Sequence, residues 1–348
     1  MSDRDAPLPS TWIARDLYAG PTQTQPGVLK LDANEGNPPP RKLLKDLATA
    51  DLSKLREYPD ARPLESEIAD RLGVDPARVV VTAGADEALD RVFRAYLARG
   101  RRVVLPVPAF EMMYRYADVI GGEIHPVPWT DAFPTDDVID ALDDSVSLVV
   151  MISPNNPTGC TADASDLERV AEAASNVDSG AAFGAMVILD HAYVEYADHD
   201  LTSLAQRFDN VVTVRTFSKA WGLAGCRVGY AVASPDVATV LRNVGSPFPC
   251  AGLSLEAVRA QMRTGDAALE EHVRAIRAGR GRLMETLSRL GIETGPAQGN
   301  FVLGEFDTRS DFVFRGLNAL GVRVRRFPHR PEISDALRIT VPDQQEPL

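Results

Sequence analysis

Between Pro63 and Gly245 the chain alternates short apolar, β-branched runs with longer amphipathic stretches, and this alternation limits the possible folds more than any other feature. Pro63 suits the first turn of a helix reaching residue 72. Residues 78–82 (RVVVT) read as a buried strand and 85–97 as the helix after it. Residues 103–105 form the next predicted strand and 110–120 a helix; strands at 123–127 and 147–152 enclose another helix. A helix over 163–174 leads to strands at 186–189 and 211–215. Strands this short and apolar are buried on both faces, and the helices between them are the crossovers of a mostly parallel sheet. Residues 227–233 are strand-like too. The link from Arg215 is too short for a crossover helix, so that strand is expected to run antiparallel to its neighbour.

After Gly245 the pattern changes. The stiff connector Ser246-Pro247-Phe248-Pro249 precedes predicted helices at 253–262 and 266–290 and strands at 300–305, 321–325 and 337–341, a small α/β unit. The expected organisation is an arm (1–40) lying on the small domain or against a partner subunit, a large domain (41–245) and a small domain (246–348). A length of 348 residues accommodates both domains. The net charge of -12 argues against nucleic-acid or anionic-membrane partners. Cys160, Cys226 and Cys250 are scattered as free thiols would be, and no Cys/His spacing suggests a metal site. The first ten residues lack the apolar core of a signal peptide and no run is of bilayer length, so a cytoplasmic protein is expected.

Chemistry concentrates in Thr216-Phe217-Ser218-Lys219-Ala220-Trp221-Gly222-Leu223-Ala224-Gly225-Cys226-Arg227. A lysine in an apolar, glycine-rich run can be driven toward the free amine that condenses with aldehydes. Thr216, Ser218 and Arg227 are residue types that hold a phosphate. Two further polar loops, Ser153-Pro154-Asn155-Asn156-Pro157-Thr158-Gly159 and Asp190-His191-Ala192-Tyr193, also follow predicted strands, where an open α/β sheet keeps its ligand. An aldehyde-binding lysine beside a phosphate clamp points to pyridoxal 5'-phosphate.

With Leu31-Asp32-Ala33-Asn34-Glu35, Glu57-Tyr58-Pro59, Thr82-Ala83-Gly84-Ala85-Asp86-Glu87, Gly299-Asn300-Phe301 and Leu337-Arg338-Ile339-Thr340-Val341 in this order, the chain resembles the fold-type I, pyridoxal-phosphate-dependent aminotransferases, most closely the histidinol-phosphate aminotransferases. The resemblance implies an aspartate aminotransferase-like fold with a seven-stranded sheet, one strand antiparallel, sandwiched by helices. It implies that Lys219 bonds the cofactor and moves a proton. Asp190 would pair with the ring nitrogen, and Tyr193 and Asn156 would bond the ring's phenolic oxygen. Gly84, Ala85 and Asp86, at a strand-to-helix turn, would cup the phosphate with Thr216, Ser218 and Arg227. Phe110 corresponds to an aromatic residue that stacks on the ring, although an ordinary core phenylalanine would read the same way. Tyr58 would reach the phosphate of a neighbouring subunit, which implies a homodimer. Asn34, Arg325 and Arg338 correspond to substrate-binding residues; strand alternation puts Arg323 on the same face as Arg325, where a solvated face is an equal reading for Arg323 and Arg326.

The implied reaction moves an amino group between a small amine, histidinol phosphate foremost, and a 2-oxo acid such as 2-oxoglutarate. An aromatic amino-acid aminotransferase or a threonine-phosphate decarboxylase would share these cofactor residues. Three departures stand out: His191 replaces a usual glutamate, Gly36 replaces an asparagine and is expected to reshape the entrance, and the chain ends at Leu348 where relatives continue with a helix, so an exposed apolar face on the small domain is expected.

Overall fold

Twelve strands occur among the described residues of this computed structural model: β1 Leu29–Leu31, β2 Val79–Thr82, β3 Arg102–Val107, β4 Glu123–Pro128, β5 Val146–Ile152, β6 Met186–Asp190, β7 Val211–Thr216, β8 Gly229–Val232, β9 Glu293–Thr294, β10 Phe301–Glu305, β11 Val322–Arg326 and β12 Ala336–Thr340. The structure describes residues 27–48, 53–178, 180, 182 and 184–342. The large sheet has the order β2-β8-β7-β6-β5-β3-β4. β8 runs antiparallel to both of its neighbours and every other pairing is parallel. The short link after Arg215 therefore forces the direction of β8, as its length requires.

All residues of β2, β5, β6, β7 and β8 are buried. Along β5, Leu148, Val150 and Ile152 join one apolar layer with helices Ala85–Tyr96 and Glu111–Ile120, while Val149 and Met151 join the other with helix Ala164–Ser175. Each fully buried side chain of this kind contributes about 1.5–3 kcal/mol relative to exposure. β3 extends past residue 105 through Pro106, at which point it is paired only with β4. Proline is tolerated there because no amide is needed on the other edge.

The second sheet has the order β1-β11-β12-β10-β9 and packs against helices Asp266–Arg289 and Ser310–Ala319. β1, from the arm, pairs in parallel with β11. Helix Gly252–Thr264 follows the proline connector, yet its Leu255 and Val258 share a cluster with Leu64, Ile68 and Phe217 beside the large sheet. Leu290, Phe312 and Leu320 are exposed large apolar residues of the smaller unit. Among the described residues no helix is long and apolar enough to cross a membrane.

Candidate active site

Parallel strands end on one edge of a sheet, and here β5, β6 and β7 deliver their following loops to a single cavity of about 1010 Å³. Asp190 and Thr216 line it from the ends of β6 and β7, and Asn156, Tyr193, Ser218, Lys219 and Arg227 from these loops. Ala85, Asp86 and Phe110 line it from helix N-termini, and Asn34, Arg325 and Arg338 from the arm and second sheet.

Asp190 ends β6 and is 4% exposed. Its Oδ1 accepts the Ala192 N–H at 3.0 Å, and no cation pairs with it among the described residues. Burial pushes its carboxyl up to about 7; the Ala192 N–H opposes this, the charge of Asp86 adds to it and Lys219 opposes it. A buried carboxylate in this condition calls for a cationic partner from within the cavity.

Lys219 follows β7 in a tight turn, and its Nζ donates to the Ala33 carbonyl at 3.2 Å and lies 5.5 Å from the centre of the Tyr193 ring. The arm crosses this turn at backbone contact. A Cβ on Gly36 would fall 1.9 Å from the Lys219 carbonyl oxygen, and one on Gly222, at φ +68°, would fall 1.9 Å from that of Asn37. The structure thus sets Gly36 against the lysine turn, where close backbone approach admits no side chain.

The Tyr193 hydroxyl accepts from Asn34 Nδ2 at 3.1 Å and Asn156 Nδ2 at 3.5 Å. Asn34 is left-handed (φ 54°) and is held there by Thr340, whose Oγ1 accepts the Asn34 N–H at 3.1 Å and donates to Asn34 Oδ1 at 3.0 Å. Asn300 Nδ2 donates to the Asn34 carbonyl at 3.2 Å. Arg338 is buried and donates to Asn156 Oδ1 at 2.5 Å and the Asp32 carbonyl at 2.6 Å. Arg325 sits opposite Arg338 in the β11–β12 register and pairs with Glu111 at 3.2 Å. Arg323 instead donates to Asn318, and Arg326 pairs with Asp311 at 2.8 Å.

At the other end of the cavity Gly84 caps helix Ala85–Tyr96 with φ 82°, and a Cβ there would meet Arg227 Nη2 at 2.7 Å. Arg227, itself left-handed (φ 51°), pairs with Asp86 at 2.9 Å and donates to Ser218 Oγ at 3.4 Å. Thr216 Oγ1 accepts the Ser218 N–H at 3.1 Å. A helix N-terminus, a hydroxyl and a guanidinium thus converge, the elements of an anion cradle.

Of the predicted site residues, Tyr58 and Gly84 are not among those lining the cavity. Tyr58 is 80% exposed and stacks on Phe248, ring centres 4.5 Å apart, outside the cavity. His191 lies outside the cavity lining, 3.6 Å from Asp200 and 3.3 Å from Thr202 Oγ1. Burial pushes it down to about 3, which keeps it neutral, and Arg215 completes that cluster through Asp200 and Glu195. The sequence reading missed Glu111, Tyr114, Arg115 and Asp118, which with Phe110 mark one face of helix Glu111–Ile120 at helical spacing and line the cavity. It also missed Phe327 to Arg330 in the β11–β12 connection, where Arg330 lies over the Tyr114 ring at 3.4 Å.

Residues 26–346 match the sequence model of the family described as aminotransferase class I and II. The chain belongs to that family. The aminotransferase is 33% identical over 320 residues to the histidinol-phosphate aminotransferase of Thermoanaerobacter pseudethanolicus, covering 90% of this chain and 88% of that one. It is 32% identical over 295 residues to the aromatic amino acid aminotransferase of Cutibacterium acnes (82% of this chain, 81% of that one). Among solved structures, it superposes on the histidinol-phosphate aminotransferase of Sinorhizobium meliloti in complex with pyridoxal-5'-phosphate with a TM-score of 0.79 at 26% identity, covering 89% and 85% of the two chains. A Thermus thermophilus aspartate aminotransferase double mutant, 22% identical and covering 90% and 87%, gives 0.77 and shares the fold.

Proposed function

We propose that this pyridoxal-phosphate-dependent aminotransferase exchanges an amino group between histidinol phosphate and a 2-oxo acid, 2-oxoglutarate foremost. The observation that carries the reading is the cavity itself: an amine, a buried carboxylate lacking a cation and two arginines in cross-strand register face one space. Bound cofactor supplies an aldehyde that condenses with amines and a ring that withdraws electrons.

In this reading Asp190 would pair with the ring nitrogen of bound cofactor and favour its protonated form. Tyr193 and Asn156 would hold the phenolic oxygen, and Phe110 would stack on the ring. Gly84, Ala85 and Asp86, with Thr216, Ser218 and Arg227, hold the phosphate. The Lys219 amine would serve as the proton carrier beside the substrate Cα, base and then acid at one atom. Arg338 and Arg325 hold anionic groups of the substrate and Asn34 shapes the site beside them.

Exposure of Tyr58 on an aromatic stack supports its use by a second copy of the chain, as a homodimer requires. Light scattering of the holoenzyme is expected to give twice the mass of the 37.7 kDa chain, and a monomer that retains full turnover would exclude shared sites.

An aromatic amino-acid donor is the second reading, favoured by the rings of Phe110, Tyr114, Phe314 and Phe327 around the cavity. A half-reaction panel decides between them, following loss of the visible absorbance of the lysine-bound cofactor. Histidinol phosphate is expected to discharge it at least about tenfold more efficiently than phenylalanine, a difference of ~1.4 kcal/mol in transition-state binding. Phenylalanine reacting while histidinol phosphate does not would replace the substrate and leave the cofactor chemistry standing.

A further inference from the structure

Glu111 stands in the first turn of helix Glu111–Ile120, and its two carboxylate oxygens are divided between two arginines. Oε1 accepts from Arg115 at 3.1 Å, one turn along the same helix, and Oε2 accepts from Arg325 at 3.2 Å, which reaches across from β11. All three side chains line the cavity, and Glu111 and Arg325 are only 32% and 20% exposed at their side chains. An ion pair within one helix is an ordinary surface device. An acid that also crosses to the other sheet, to a guanidinium facing the substrate space, changes what that guanidinium can bind.

We propose that Glu111 is a specificity-determining residue that acts through Arg325 as a built-in competitor for anionic substrate groups. It rests on the reading of Arg325 as an anion-binding residue. A distal phosphate or carboxylate must separate Arg325 from Glu111 and leave a carboxylate beside the bound anion, whereas a neutral distal group leaves the pair intact. Glu111 therefore narrows the preference of the site for substrates that present an anionic group to Arg325, and the cost falls on binding rather than on proton transfer at Lys219.

The test uses the holoenzyme with two 2-oxo acids, 2-oxoglutarate and 2-oxohexanoate, which differ in the distal carboxylate, and the same pair of measurements with histidinol phosphate and histidinol. Glu111→Gln keeps the shape, removes the charge and leaves one acceptor oxygen where the two arginines now have two. It is expected to lower KM for 2-oxoglutarate and histidinol phosphate about tenfold, the change that ~1.4 kcal/mol of relieved competition produces. kcat and the KM values of the two neutral-ended compounds should stay within about twofold. The gain should vanish when Arg325→Gln is added. An unchanged KM, an equal fall for both classes, or a gain that persists without Arg325 would overturn the role of Glu111. Arg325→Gln alone leaving KM for 2-oxoglutarate unchanged would overturn the anion-binding reading of Arg325, and this inference with it; rejection of histidinol phosphate alone would change the donor while the 2-oxo acid pair still decides the role of Glu111.

Discussion

Replacing Lys219 by alanine is expected to lower turnover by at least ~10⁴-fold and to remove the visible absorbance of lysine-bound cofactor. In the proposed reading the side chain has two tasks at one atom, bonding the aldehyde and moving the proton, so no neighbour can restore both. No other primary amine lines the cavity: the remaining basic side chains there are arginines and one histidine, His329. The loss should occur without collapse of the fold, because Lys219 contributes one hydrogen bond to the Ala33 carbonyl while the turn is held by backbone contacts of Gly36 and Gly222. Far-UV circular dichroism matching the parent, with turnover gone, is the predicted pair of results. Residual activity within about tenfold of the parent would refute the assignment.

Asp190→Asn is expected to act in opposite directions on two quantities. In the cofactor-free protein the carboxyl is raised from 3.8 to about 7, chiefly by burial. Between those two values the folded chain holds a proton that the unfolded chain has released, so stability falls as pH rises through this window. The deficit is complete above about pH 7 and reaches the order of 4 kcal/mol. Asparagine cannot ionise, so the cofactor-free variant should be more stable than the parent at pH 8 and close to it at pH 4. With cofactor the effect reverses. In the proposed reading the ring nitrogen would lose its counter-charge, and kcat should fall by about 10²–10⁴-fold, the range for losing one electrostatic partner at a reacting centre. Denaturant melts at the two pH values and steady-state kinetics check both; equal stability at pH 8, or undiminished turnover, would remove the ion pair from the mechanism.

How much of this was legible follows from the range of each interaction. β5, β6 and β7 were readable because burial on both faces leaves short runs dominated by apolar, β-branched residues, and the direction of β8 followed from loop length alone. The loop residues Asn156, Asp190 and Lys219 could be grouped before any coordinates because parallel strands place their ends together. What failed to show was set by contacts distant in sequence. β1 is three residues long and exists because β11 pairs with it, nearly 300 positions away. Thr340 holds Asn34 from 306 positions off, with no local pattern to mark it. The cavity wall of Glu111, Tyr114, Arg115 and Asp118 was in principle visible as a helical stripe starting from Phe110, but a polar stripe on a helix usually faces water. Here the second sheet faces it instead. The place of His191 was open in the sequence: its ring lies outside the cavity lining, beside Asp200, which also pairs with Arg215.

The most direct measurement is borohydride reduction of the holoenzyme followed by peptide mass spectrometry. The chain has five lysines, Lys30, Lys42, Lys45, Lys54 and Lys219, so the label can be located without ambiguity. The cofactor mass should appear on the peptide that carries Lys219 and on no other. Label on any of the other four, or on none while the enzyme still turns over, would contradict the placement of the reactive amine opposite Asp190.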